Sequence, residues 1–134
     1  MNNDIKKIIK ASNFEIMQGI YIYAKVAEVP DAVEKYFMVS CDHDEITVIT
    51  EQENFGNLKV LERNKDDYAL IALNVSIPFY PVGFLATVSG AIAKEGMNIL
   101  IVSTYSKDYI MVKKDCADKA ESVLLKLGFT EKKD

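Results

Sequence analysis

The stretch that decides the fold is Gly96-Met97-Asn98-Ile99-Leu100-Ile101-Val102-Ser103-Thr104-Tyr105-Ser106-Lys107-Asp108-Tyr109-Ile110-Met111-Val112-Lys113. Two apolar, β-branched runs, Met97–Tyr105 and Tyr109–Lys113, flank the short polar segment Ser106-Lys107-Asp108. A parallel crossover needs a dozen or more connecting residues, so strands this close together pair as an antiparallel hairpin.

The neighbouring segments extend the pattern. Upstream, Asp67–Ser76 is apolar on one parity at Ala69, Ile71, Leu73 and Val75, which reads as a strand with at least one buried face. Pro78 and Pro81 break it. From Val82 to Glu95 the period becomes helical, with Leu85, Val88 and Ile92 flanked by Ala86, Ser89 and Ala93, and Gly96 stands at the expected stop. Downstream, Asp115 is placed to cap a second helix whose inner face is Ala117, Ala120, Leu124 and Leu127. Gly128 ends that helix and Phe129 begins a short last strand. The order is βαββαβ, an α+β pattern in which each helix has a single apolar stripe to bury on the sheet.

The first half is less regular. Phe14–Met17 and Ile20–Glu28 read as strand, interrupted by Gly19, a candidate bulge. Pro30–Tyr36 is a short helical turn. Phe37–Cys41 and Glu45–Glu51 form a hairpin around Asp42-His43-Asp44, and Leu58–Arg63 is a further strand. The Ile5, Ile8, Ile9 spacing predicts one or two helical turns on the surface. The expected division is residues 1–65 and 66–134, two repeats with the first degenerate.

The chain has 134 residues, 49% hydrophobic and 27% charged, with a net charge of -4. That suffices for a buried core, and the scattered lysines form no basic stripe, which argues against a nucleic-acid partner. No apolar run approaches the roughly 20 residues that span a bilayer, and no secretory signal begins the chain, so no membrane partner and a cytoplasmic location are expected. The two cysteines, Cys41 and Cys116, read as free thiols. Cys41, the single histidine His43, and the carboxylates around it are too few for a structural zinc site. No nucleophile elbow, glycine-rich phosphate loop or zinc-protease signature appears, so neither an enzyme nor a cofactor is expected.

Val82-Gly83-Phe84-Leu85-Ala86, Gly96-Met97-Asn98-Ile99 and Ser103-Thr104-Tyr105-Ser106-Lys107-Asp108-Tyr109-Ile110-Met111-Val112 together resemble the ACT-domain pattern, and Phe37–Ser40 with Asp44–Ile49 fits a shorter first repeat. The likeness is to small tandem-ACT proteins related to the eukaryotic cytosolic arginine sensors and to lysine-regulated aspartate kinase. It implies duplicated ferredoxin-like repeats, amino-acid binding at an interface between repeats or subunits, and no catalysis. It departs from the family at Pro81, which removes one N–H from the turn.

An amino acid needs donors for its carboxylate and acceptors for its ammonium. The helix N-terminus at Val82, Gly83, Phe84 and Leu85, with Phe79 beside it, suits the first. Gly83 either admits a ligand to the backbone or only allows tight helix packing. Asp108 suits the ammonium, or else serves as an ordinary turn residue. Ser103, Thr104, Asn98 and Ile99 complete the candidate set, with Ser103 and Thr104 alternating between faces. The reading is a regulatory amino-acid-binding protein; the alternative is a ligand-free dimerisation module acting on a partner enzyme. Exposed sheet edges predict a homodimer.

Overall fold

The hairpin forms as expected. In the computed structural model, which describes residues 2–75 and 82–133, Leu100 faces Met111 and Ser103 faces Asp108 in antiparallel register. In chain order the elements are α1 (Asn3–Lys10), β1 (Asn13–Ile16), β2 (Tyr21–Val26), β3 (Met38–Cys41), β4 (Ile46–Glu51), β5 (Val60–Arg63), β6 (Tyr68–Asn74), α2 (Phe84–Lys94), β7 (Leu100–Ser103), β8 (Asp108–Lys113), α3 (Ala117–Leu127) and β9 (Thr130–Glu131). The fold is α+β, with largely antiparallel strand pairing and ferredoxin-like repeats.

The chain forms two compact units, Met1–Met17 with Ala69–Asp134, and Gln18–Tyr68. The first 17 residues thus belong with the C-terminal half, where a division at 65/66 would separate them. The reason is strand pairing. β1 lies antiparallel to β6 (Asn13 opposite Asn74, Ile16 opposite Ile71), and β9 adds to β1 in parallel. Gly19 is therefore no bulge within one long strand. It sits at φ 98° in the link between β1 and β2, which are separate strands of separate units.

In the larger unit the strands run β9-β1-β6-β8-β7. Ala69, Ile71 and Leu73 are buried on the predicted parity, against Val88, Ile92, Ala120 and Leu124 of the helices. The inner stripe of α2 is Phe84, Val88 and Ile92, whereas Ala86 and Ala93 are exposed. A phenylalanine buries more apolar surface than an alanine, so it takes the inward position. α2 ends as foreseen: Gly96 (φ 81°) donates to the Ala93 carbonyl, and Met97 donates to that of Ile92, on which cluster its side chain packs. Asp115 caps nothing; it is exposed, and Cys116 holds the N-cap position of α3 without a side-chain bond. The helix α1 is not a surface appendage. Ile5 and Ile9 are buried in the same core as Phe14, Phe84 and Phe129, and Asn2 caps α1 by accepting from the Ile5 N–H.

In the smaller unit β4 lies between β3 and β2, and β5 flanks β2. Its two helical segments are 3₁₀ turns, Val33–Lys35 and Gln52–Asn57. Both helices of this repeat have shrunk, not only the first. One cluster of its buried residues is Ala24, Val26, Tyr36 and Val48, and Tyr21, Ile22 and Ile49 are buried as well. The β3–β4 turn is built by Asp42, whose Oδ1 accepts from the Asp44 and Glu45 N–H groups. That carboxylate is thereby committed to the backbone.

Candidate ligand site

Asp108 opens β8 and Ser103 closes β7. Alternation puts Asp108 on the same face as Ile110 and Val112, which are in the core, so its carboxylate points inward and is only 3% exposed. Its turn role falls away, because Thr104 closes the hairpin: its N–H and its hydroxyl both donate to the Lys107 carbonyl, at 2.8 and 3.2 Å. Instead Asp108 Oδ1 accepts from the Ser103 hydroxyl at 2.5 Å. Oδ2 is buried and has no partner among the described residues. A buried polar atom left unpaired costs on the order of 1–3 kcal/mol, more for a charged group. The sequence named both residues but treated them separately; their facing register is the feature that joins them.

The turn before α2 behaves differently. Val82 is 97% exposed. Gly83 adopts φ 95°, and its carbonyl accepts from the Thr87 N–H and hydroxyl, each at 2.9 Å. A Cβ there would meet Ile5 Cδ1 at 3.5 Å, an ordinary contact, so the positive φ is what demands glycine. The Phe84 ring is core, edge-on to Phe129 at 6.3 Å between centroids, and leaves only backbone to a ligand. Leu85 and Ile99 are half-buried against the same core. Asn98 is exposed, and its Oδ1 accepts from the Ile99 N–H at 3.0 Å. Phe79 lies outside the described residues. The structure thus joins Ser103 with Asp108, gives Thr104 to the hairpin and shows Val82 and Asn98 open to solvent. The approach of Ile5 to Gly83 had no sequence signal beyond the isoleucine spacing of α1.

Among the described residues no group of three metal-ligating side chains forms, and no helix is long and apolar enough to cross a membrane.

Residues 64–126, covering β6, α2, β7, β8 and most of α3, match the family model of the ACT domain. The chain carries an ACT domain. The candidate pair Ser103–Asp108 falls inside it. No curated protein matches the chain in sequence. Solved structures are similar over nearly its whole length. A Vibrio cholerae protein of unknown function, described as a possible transport protein, is 22% identical with a TM-score of 0.77, covering 92% of this chain and 95% of that one. The aspartokinase alpha and beta subunits are 14% identical with a TM-score of 0.65, covering 92% and 97%. The ligand-free regulatory subunit of aspartate kinase from Thermus thermophilus is 10% identical with a TM-score of 0.59, covering 85% and 95%. At these identities the likeness is one of fold.

Proposed function

We propose that this protein is a regulatory sensor that binds a free amino acid through its ACT domain and catalyses nothing. The observation that carries the reading is Asp108: a buried carboxylate with one oxygen held by Ser103 and the other without a partner among the described residues. An ammonium group is the complement of such an oxygen, because it donates and carries the opposite charge. The N-terminal turn of α2 at Val82–Leu85 supplies the type of environment a carboxylate prefers. One of the similar structures is the regulatory subunit of an aspartate kinase, which supports a regulatory setting. Binding would act by favouring one arrangement of the protein over another.

A thermal-shift screen with the twenty amino acids tests this. A ligand at a hundred times its Kd adds about 2.7 kcal/mol to stability. One chemical class of amino acid should raise the Tm, and Asp108→Asn should abolish the rise. No shift with any amino acid would overturn the reading.

A second reading has its own observation. Among the described residues β7 pairs with β8 alone, which leaves its other edge without a partner strand there, and Ile101 on β7 is 40% exposed. Such an edge suits pairing with a second copy or a partner enzyme without a ligand. A concentration-dependent dimer that forms equally with and without amino acids would favour it.

A further inference from the structure

The first turn of α1 stands on the turn that opens α2. Ile5 Cδ1 lies 3.5 Å from where a Cβ on Gly83 would be, so its methyl covers the face of the backbone that the glycine leaves bare. Gly83 is the N-cap of α2. One turn further along α1, Ile9 Cγ2 stands at the same 3.5 Å from the Cβ position of Gly128, which ends α3. Both isoleucines are buried in one cluster with Phe84 and Phe129. The space beside Gly83, by which a ligand would reach the backbone of that turn, is filled by a side chain of the protein itself.

α1 is also separable from the sheet. It has 8 residues, too few to persist as a helix in water without tertiary contacts. Its outer side carries the exposed Lys6, Lys7 and Lys10, so the buried Ile5 and Ile9 are what hold it down. Ser12 closes the helix, with its N–H on the Ile9 carbonyl at 3.0 Å and its hydroxyl on the Ile8 carbonyl at 2.6 Å. From Asn13 onward the chain is held independently, by β6 on one side and β9 on the other. Burial of two isoleucine side chains favours the docked state by a factor of roughly 10²–10⁴. That is the range of a local opening rather than of unfolding the whole unit.

We propose that α1 is an autoinhibitory strap: while it is docked, Ile5 closes the N-terminal turn of α2, and a ligand enters that turn only when α1 has melted away. The inference rests on the reading above, that this turn receives an amino acid, and adds regulation to that site. The apparent affinity is then the intrinsic one reduced by the fraction of molecules with α1 open, and whatever weakens docking strengthens binding.

Amide hydrogen exchange and calorimetric titration of the full chain test this, with each standard amino acid in turn as the probe. Without a probe, the amides of Lys6 to Ala11 should exchange at least about tenfold faster than those of β1 and β6, because α1 opens without the sheet. A bound amino acid should speed exchange in α1 by at least about tenfold while slowing it in α2 and β8. An α1 that merely packs would be slowed with the rest. Ile5→Ala and Ile9→Ala should each tighten binding by at least about tenfold, whereas Val123→Ala, which thins the same core from α3, should not. Exchange of α1 only together with the sheet, slower exchange in α1 on binding, or unchanged affinity in both isoleucine variants would overturn the strap and leave the sensor reading standing. Absence of binding to the wild type and to both isoleucine variants would overturn the two together.

Discussion

Ser103 and Asp108 face each other across the β7–β8 hairpin, and the serine hydroxyl holds one carboxylate oxygen at 2.5 Å while the other is buried and has no partner among the described residues. The two residues should therefore respond to substitution with opposite signs. Asp108→Asn removes a buried charge and should leave the ligand-free protein as stable as before or more so. Ser103→Ala removes the hydrogen bond that Ser103 makes to that charge and should cost about 1.5–3 kcal/mol. Denaturant melts of the two variants check this. Equal destabilisation by both would mean the pair is ordinary packing.

The glycines divide by backbone conformation. Gly90 lies exposed within α2, with nothing within 4 Å of an added Cβ. Gly90→Ala should stabilise by about 0.5–1 kcal/mol, the helix-interior difference. Gly128 at φ 119° terminates α3, and Gly128→Ala should destabilise by about 1–2 kcal/mol or more. Thermal melts of both variants would show shifts in opposite directions.

α1 belongs to the core. Ile9 is fully buried, packed with Phe14 and Leu124 in one cluster. Ile9→Ala should cost about 2–5 kcal/mol. Lys7→Ala, on the exposed side of the same helix, should stay within about 0.5 kcal/mol. If both substitutions proved equally harmless, α1 would be detached in solution.

Glu131 on β9 titrates above its ordinary value of 4.5. Burial is the main cause and the facing Glu121 carboxylate the next, partly offset by Lys133 at 3.8 Å. In the window between the unfolded and the raised folded pKa the native state binds more protons than the unfolded chain. Its stabilising effect is complete below about pH 4.5 and is lost as pH rises through the folded pKa. Glu131→Gln should flatten that part of the Tm-against-pH curve and raise the Tm at neutral pH. A wild-type slope that persists in the variant would assign it to other groups.

The local order of the ACT domain was legible because its signals are local. Alternation at Ala69, Ile71 and Leu73 fixed the inward face of β6, and Gly96 fixed the end of α2. The stripe of α2 was misread by one residue, since Phe84 and Leu85 are adjacent at a helix start and only packing chooses between them. Among site residues, Asp108 and Ser103 could be named as polar groups at a hairpin, but burial decides what they do.

In the C-terminal half the sequence by itself determined the order of strands and helices, where α2 and α3 stop and which parity β6 turns inward, because these follow from neighbours within a few residues. The tertiary structure alone decided that β1 leaves its sequence neighbours to pair with β6, and that α1 enters the core. Asn13 and Asn74 meet although they stand 61 positions apart in the chain, and their side chains are joined by a 2.7 Å hydrogen bond. Nothing local distinguishes that partner from another strand with the same alternation. Pairing of this kind is settled by which arrangement buries the most apolar surface and leaves the fewest polar groups unpaired, and that sum is taken over the whole unit.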